Sequence, residues 1–255
     1  DVVNYNEKNN WANNENNNDG TNNNASSVSP NQEIAFRRMK SMMVASILSR
    51  GVPLICAGDE LARTQRGNNN AYCQDNELSW LNWKNFSKEQ RELYLLIRKV
   101  NALRKEHPSF ANLDVFTGEK VPSNGRKDIE WIRPDGNEMQ EGDWHNNTNH
   151  ILACVINGKN GEVSKNPESK NNSDDDFMII MCGNTYGVVD FKLPTPPNGK
   201  KWQLVFDTTG SEKKINENGT YSLDAYSYVL LTSKQETISN NLIMQKMTEN
   251  KKRQF

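Results

Sequence analysis

The chain has 255 residues, and its 31 basic and 32 acidic side chains give a formal net charge of −1 at pH 7. This balance argues against a protein that binds nucleic acid or an anionic membrane through a large basic surface. No apolar run approaches the roughly 20 residues that a membrane-spanning helix needs.

The four cysteines form no CxxC pair, and no histidine stands at a zinc-finger spacing from them. Cys56, Cys154 and Cys182 lie in apolar runs, where buried thiols are common. We therefore expect a reducing, cytoplasmic environment, no structural disulfide, no metal site and no cofactor.

The first part of the chain predicts a loop and then a helix. Residues 1–20 show no clean period, and we interpret their many asparagines first as compositional bias. Ser29 and Pro30, with Glu33 in the first turn, predict a helix start. Apolar residues three and four apart then predict a helix over residues 33–49, ended by Gly51.

A short apolar run over residues 52–57, bounded by Gly51 and Gly58, predicts a strand buried on both faces, as in a parallel sheet. The chain then becomes polar at once, and α/β proteins build sites at the carboxyl ends of such strands. Sugar hydroxyls both donate and accept hydrogen bonds, and sugar rings stack on aromatic side chains, so this composition suits a neutral polyhydroxylated ligand. The candidate binding residues are Asp59, Glu60, Arg63, Asn68, Asn69, Asn70, Tyr72, Asp75 and Trp80.

The remaining chain predicts one more long helix and then an all-β region. Ser87 and Gln90 predict a capping box, and the helix that follows should end by His107 because Pro108 comes next. From about residue 112, short apolar runs separated by turn residues predict an antiparallel β-sandwich. The predicted strands are residues 128–132, 151–157, 177–182, 187–193, 202–207 and 227–231.

Three strings resemble one enzyme family. GDELARTQRGNNNAYCQDNELSW, residues 58–80, resembles the segment after the last barrel strand of bacterial isoamylases and glycogen debranching enzymes, in the α-amylase superfamily. DVVNYN at the start is similar to a segment after barrel strand 7, and IEWIRPDGNEMQEGDW, residues 129–144, resembles the opening of that family's C-terminal β domain.

The resemblance implies a particular domain organisation. Residues 1–111 would be the C-terminal portion of a (β/α)8 barrel, containing its last helix, strand and helix. Residues 112–234 would be an antiparallel β-sandwich domain, and residues 235–255 a polar tail.

The resemblance also implies hydrolysis of α-1,6 branch linkages in glycogen or a related α-glucan, by a retaining mechanism that uses two carboxylates. The family's catalytic carboxylates correspond to positions upstream of Asp1, so no catalytic residue is expected here. Adjacent residues such as Asp59 and Glu60 do not easily flank one glycosidic bond. The nine candidates are expected to bind the branched glucan, and the missing N-terminal part of the same enzyme is the expected partner.

Each candidate also has a purely structural interpretation. Asp59 and Arg63 can form a salt bridge that only shapes the loop, the asparagines can build turns, and Tyr72 and Trp80 can pack against the barrel. Trp83 is expected in the core. For the whole chain, the alternatives are a non-catalytic α-glucan-binding or scaffold protein that has lost its catalytic half, and an enzyme acting on α-1,4 bonds, against which GNNNAYCQD argues.

Overall fold

The computed structural model of the protein describes residues 7–22, 32–112, 114–166, 172–183, 187–211 and 213–234. The helices are α1 (Gln32–Leu48), α2 (Lys88–Glu106), α3 (Pro108–Ala111) and α4 (Glu141–Trp144). The strands are β1 (Ile129–Ile132), β2 (Ile151–Ile156), β3 (Phe177–Cys182), β4 (Val189–Lys192), β5 (Lys201–Asp207), β6 (Thr220–Leu223) and β7 (Ser227–Lys234). The predicted helix start at Ser29 and the predicted tail lie outside the described residues.

The strands form two antiparallel sheets. A five-stranded sheet has the order β1-β2-β3-β7-β5, and β4 pairs with β6 in a two-stranded sheet. The predicted antiparallel, β-rich C-terminal region is therefore confirmed. Strand β6 was not predicted, because its four residues contain only two apolar side chains, Tyr221 and Leu223.

The five-stranded sheet is covered on both faces. Along β2, Ala153 and Val155 point into a core shared with the two-stranded sheet, whereas Cys154 and Ile156 point towards the helices. The same alternation runs along β3 and β7. Antiparallel strands with one solvated face alternate between apolar and polar residues. These strands are instead nearly continuous apolar runs, because both of their faces are buried.

Helices α1 and α2 pack on one face of this sheet. Val44 of α1 and Leu93 of α2 are fully buried in the same cluster as Phe177 of β3. Two hydrogen bonds add to the contact: Lys99 Nζ donates to the carbonyl oxygen of Val205 at 2.8 Å, and Ser41 Oγ donates to that of Tyr226 at 2.9 Å. The helices and the sheet therefore share one hydrophobic core.

The helix ends follow the local sequence. Ser87 caps α2 with the predicted capping box, in which the Gln90 backbone N–H donates to Ser87 Oγ at 3.2 Å and the Ser87 N–H donates to Gln90 Oε1 at 2.9 Å. α2 ends at Glu106, as Pro108 requires. At the end of α1, Arg104 Nη1 donates to the carbonyl oxygens of Ile47 and Ser49, both at 2.7 Å, and so satisfies groups that a helix end leaves unpaired.

The prediction of a buried strand over residues 52–57 is wrong. The segment has no regular structure, and Val52 and Leu54 are 86% and 92% exposed. Within this segment, Ile55 is partly buried and packs against the hydrophobic cluster that contains the helices. Cys56 is exposed, although it was expected to be buried. A strand needs a neighbour to satisfy its backbone N–H and C=O groups, and all described strands lie within residues 129–234 and pair with one another.

Two further burial predictions have opposite outcomes. Trp83 is 56% exposed rather than in the core, because it lies in the irregular segment before α2, outside both hydrophobic clusters. Cys154 and Cys182 are buried in β2 and β3, as predicted. Burial raises the pKa of the Cys154 thiol to about 12, so it stays protonated at neutral pH. None of the helices in the described ranges has the length and hydropathy to cross a bilayer.

His107 gives this core a dependence on pH. It lies between α2 and α3 with its ring edge on Phe177, 4.7 Å between ring centroids. Burial lowers the pKa of His107 and outweighs the opposing effect of Asp175. The unfolded chain therefore binds this proton more readily than the folded one, so His107 costs stability as the pH falls through about 6.5, its unfolded pKa.

When the pH is lowered from about 7.5 to about 5.5, we expect the free energy of unfolding to fall less in the His107→Phe variant than in the parent chain. The phenyl ring keeps the contact with Phe177 but takes up no proton. The measurement is the urea midpoint at both pH values, with the exposed His145→Phe as the control. Equal losses in the parent and the His107→Phe chain would contradict the assignment.

Candidate functional site

The predicted site residues lie on one loop, and another loop, earlier in the chain, holds it in place. We name residues 7–22 the first loop and residues 58–80 the second loop. The Asn9 N–H donates to the carbonyl oxygen of Gly67 at 2.8 Å, and Asn69 Nδ2 donates to that of Thr21 at 2.7 Å. Gln74 Nε2 donates to the carbonyl oxygen of Ala12 at 2.9 Å, so the two loops are joined along their length.

Asn13 is the centre of this contact. Its side chain is buried, and its Oδ1 accepts hydrogen bonds from Asn68 Nδ2 at 3.0 Å and Gln74 Nε2 at 2.8 Å. Its Nδ2 donates to Asp19 Oδ2 at 2.6 Å and to the carbonyl oxygen of Asn70 at 2.9 Å. The Asn13 amide therefore links both loops through its oxygen and its nitrogen.

Asp19 supplies the negative charge of the network. Its Oδ2 accepts from Asn13, from Asn70 Nδ2 at 3.0 Å and from Asn10 Nδ2 at 3.3 Å. These hydrogen bonds, that of Asn13 foremost, hold the pKa of Asp19 below its ordinary value because they favour the ionised carboxylate. Asp19 therefore stays charged at neutral pH and keeps accepting from three amides.

Two glycines allow the loops to approach this closely. At Gly67, where φ is +89°, a Cβ would lie 2.8 Å from the carbonyl oxygen of Glu7. At Gly20, where φ is +69°, a Cβ would lie 2.1 Å from Asn69 Oδ1. Only glycine combines a positive φ with the missing Cβ that both positions need.

The three predicted asparagines take part in this network. Asn68 is 1% exposed, and its amide is bound to Asn13. Asn69 Oδ1 accepts from Asn10 Nδ2 at 3.0 Å, and Asn70 donates to Asp19. These side chains join the loops, and their binding of a ligand stays a prediction.

Tyr72 and Trp80 present open ring faces. Tyr72 Oη donates to Glu15 Oε1 at 3.0 Å, which raises the pKa of the phenol, and the residue is 72% exposed. Trp80 Nε1 donates to Asp75 Oδ1 at 2.8 Å, and the residue is 63% exposed. Each ring is thus fixed by its polar end and free on its face, an arrangement that can receive the apolar face of a sugar ring.

The charged candidates lie at the start of the second loop. Asp59 and Glu60 belong to a short 3-10 turn, Asp59–Leu61, and Glu60 Oε2 accepts from the Gly58 N–H at 2.8 Å. Gln90 of α2 holds the turn by donating to the carbonyl oxygen of Leu61 at 2.8 Å. Arg63 Nη2 lies 3.5 Å from Cys56 Sγ, and the pairing of Arg63 with Asp59 stays a prediction. In the described ranges, no three His, Cys, Asp or Glu side chains cluster as a metal would require.

Comparison with known proteins identifies the family. Residues 128–232 match the family model "Isoamylase, C-terminal". A glycogen operon protein GlgX homolog of Mycobacterium bovis is 34% identical over 246 residues, which cover 91% of this chain and 34% of that protein. Residues 128–232 therefore belong to the isoamylase C-terminal family, and the chain as a whole is similar to the C-terminal part of isoamylase-type debranching enzymes. An isoamylase of a Flavobacterium species is 33% identical over 202 residues, covering 74% of this chain and 24% of that protein.

The chain therefore spans about a third, or less, of the length of these relatives. Solved pullulanases share its fold: the enzyme from Bacillus acidopullulyticus has a TM-score of 0.55 at 16% identity, over 82% of this chain and 22% of the other. PulA from Klebsiella oxytoca has a TM-score of 0.55 at 15% identity, over 84% of this chain and 22% of the other.

Sequence reasoning missed the first loop of this chain. It attributed the asparagines of residues 1–20 to compositional bias, whereas Asn10, Asn13 and Asp19 hold the second loop in position. It also assigned no role to Trp11, which is 63% exposed on the first loop. The density of asparagine was the available signal, but the partner residues lie far away in the chain.

Proposed function

We propose that this chain is the C-terminal part of a glycoside hydrolase that cleaves α-1,6 branch linkages of glycogen or a related α-glucan in the cytoplasm. The names of its relatives support this proposal, since they include glycogen debranching enzyme and isoamylase. The proposal takes the catalytic carboxylates from the part of the enzyme upstream of Asp1 and requires no cofactor.

In this proposal, residues 1–111 are the C-terminal portion of a (β/α)8 barrel, residues 112–234 are the β-sandwich domain and residues 235–255 are a polar tail. Residues 52–57 would pair as a barrel strand only when neighbouring strands from the upstream part are present. The exposure of Val52 and Leu54 is consistent with a segment whose pairing partners lie elsewhere.

The observation that carries the proposal for the site is the pair of anchored, open rings of Tyr72 and Trp80 on a loop that Asn13 locks in place. We assign these rings to stacking on glucosyl units, and Asp59 and Arg63 to hydrogen bonding with one unit. A pullulanase of Klebsiella pneumoniae has been solved as a complex with maltotriose, which supports an α-glucan as the ligand class.

The isolated 255-residue chain should release no reducing ends from glycogen, whereas the product of the complete reading frame that contains it should do so. The reason is that both carboxylates of a retaining glycosidase are needed at one bond. Reducing-sugar release is the measurement. Release by the isolated chain that is abolished by Asp59→Asn would place the chemistry within residues 1–255 and contradict the proposal.

The site assignment has its own control in the same assay. In the complete product, the double variant Tyr72→Ala and Trp80→Ala should lower kcat/KM by about 5- to 150-fold, because each ring contributes about 0.5–1.5 kcal/mol of stacking. Tyr94→Ala, a half-exposed tyrosine on α2, is the matched control and should leave kcat/KM unchanged. Equal values for the double variant and the control would remove both rings from the substrate site.

A further inference from the structure

A cleft on the β-sheet region lies apart from the two loops. It has a volume of about 440 Å³, within the roughly 300–1,000 Å³ range of small-molecule sites. The residues that matter for its chemistry are Met139, Trp144, Asn146, Asn149, His150 and Met181. None of them belongs to the first or second loop, so the cleft is not part of the site described above.

Trp144, the last residue of α4, is held in place although it is exposed. Its indole meets that of Trp131 of β1 edge to face, with ring centroids 5.4 Å apart and planes at 80°. Gln140 and Asp143 form a reciprocal cap at the start of α4, which fixes the short helix that carries the ring. Trp144 is nevertheless 51% exposed, so part of the braced indole remains open to solvent.

The polar groups around the indole are mainly unused donors. Asn146 Oδ1 accepts from the Thr148 N–H at 3.0 Å, and Asn149 Oδ1 accepts from the Ile151 N–H at 3.2 Å, so both amide oxygens are occupied within turns. Among the described residues, the NH2 groups of both asparagines and the His150 ring have no hydrogen-bond partner. An aromatic face beside free amide and imidazole donors matches the two chemical faces of a sugar, its apolar C–H face and its hydroxyl edge.

The charge of the cleft favours a neutral ligand. Among the described residues, its lining contains one carboxylate, Asp143, and neither lysine nor arginine. Asp143 Oδ2 already accepts from the Gln140 N–H at 2.7 Å and lies 3.7 Å from Arg133 Nη1. An anionic ligand would therefore find no opposing cation among the described lining residues.

A further large cleft, lined by residues such as Arg126, Lys159 and Asp176, has the opposite character. Its volume is about 660 Å³, and no aromatic side chain stands among the described residues that line it. Arg126 and Lys159 in that cleft are paired with Asp176 and Asp174 at 2.7 and 2.6 Å. Of these two clefts, the one at Trp144 is therefore the one whose described lining offers a ring for stacking.

We propose that the cleft at Trp144 is a second α-glucan binding site, in which a glucosyl unit stacks on the indole and its hydroxyls accept from Asn146, Asn149 and His150. The choice of α-glucan among sugars rests on the proposed function. Such a site would hold one chain of a branched polymer while another occupies the second loop. The second contact is then intramolecular, and it raises the apparent affinity for the polymer without a new contact at the first site.

The test uses the 255-residue chain and maltoheptaose, a linear α-1,4-glucan, followed by NMR of the indole N–H and methionine methyl groups. The Trp144 signal is assigned from its loss in Trp144→Phe. We expect saturable shifts of the Trp144 indole and of the Met139 and Met181 methyls, with no shift of Met42, which is exposed on α1. Trp144→Ala should weaken the affinity read from these methyls by about 3- to 10-fold, while Trp144→Phe retains most of it.

His150→Ala is the second variant, because its exposed ring can be removed while its carbonyl oxygen still accepts from the Gly183 N–H. It should also weaken binding at the methyls, by about twofold or more. Unshifted Met139 and Met181 methyls at saturation, or unchanged affinity in Trp144→Ala, would overturn the second site. Trp80 reports the other site independently: shifts at Trp144 without shifts at Trp80 would overturn only the assignment of the second loop.

Discussion

Replacing Phe177 by alanine should lower the free energy of unfolding by about 3–5 kcal/mol. Phe177 is fully buried at the start of β3, and its ring centroid lies 4.7 Å from that of His107 and 4.7 Å from that of Phe110. The substitution leaves a cavity where the helices meet the sheet. The helices and the sheet both pack against Phe177. Neither of them can move into the cavity without losing other contacts that it makes.

Urea denaturation of the parent and variant chains measures the effect. Leu54→Ala is the control, since this leucine is 92% exposed and its truncation should change stability by no more than about 0.5 kcal/mol. Comparable losses in the two variants would show that Phe177 does not join helix and sheet. Following helical and sheet signals separately also tests the proposed boundary at residue 112: a single transition indicates one cooperative unit, and two transitions indicate two.

Replacing Asn13 by alanine should release the first loop from the second. The change removes five hydrogen bonds at once, one of them from the Cys73 thiol, and leaves Asn68, buried at 1% exposure, without the acceptor for its amide. Leaving buried polar groups unpaired costs about 1–3 kcal/mol each. We expect the protection of the loop contact to fall by about 2–3 kcal/mol, which corresponds to exchange about 30- to 150-fold faster.

Hydrogen exchange of two amides measures this loss. The Asn9 N–H donates to Gly67, and the Asn69 N–H donates to Asn10 Oδ1 at 3.0 Å, so both report the contact directly. Asn18→Ala is the matched control, an exposed asparagine of the same loop. Unchanged exchange in Asn13→Ala would mean that the loops are held by other contacts.

The sequence by itself determined the two long helices, α1 and α2, whereas it did not predict the four-residue helices α3 and α4. Within α2 the backbone N–H groups bond to carbonyl oxygens four positions earlier, and at its start, where such partners are missing, Ser87 and Gln90 form a cap from within three positions. Pro108 stops it for an equally local reason. Neighbours along the chain carry all of this information.

Composition also located most strands, because burial on both faces makes β3 apolar throughout and β7 apolar over residues 228–231. The same criterion failed at residues 52–57, which have the composition of a buried strand but lie exposed. What separates the two cases is a neighbouring strand. β3 has β2 and β7 beside it, whereas the apolar run has no such neighbour among the described residues.

In the candidate site, too, some features follow from the local sequence and others depend on contacts between distant residues. Residue types alone selected Tyr72 and Trp80, and Trp80 is fixed by Asp75, five positions away. Which asparagines hold the second loop was decided only by tertiary structure, since Asn13 and Asn68 are 55 positions apart and Asn10 and Asn69 are 59 apart. An amide carries the same donor and acceptor wherever it stands in the sequence. Its role depends on which distant groups the fold brings within about 3 Å of it.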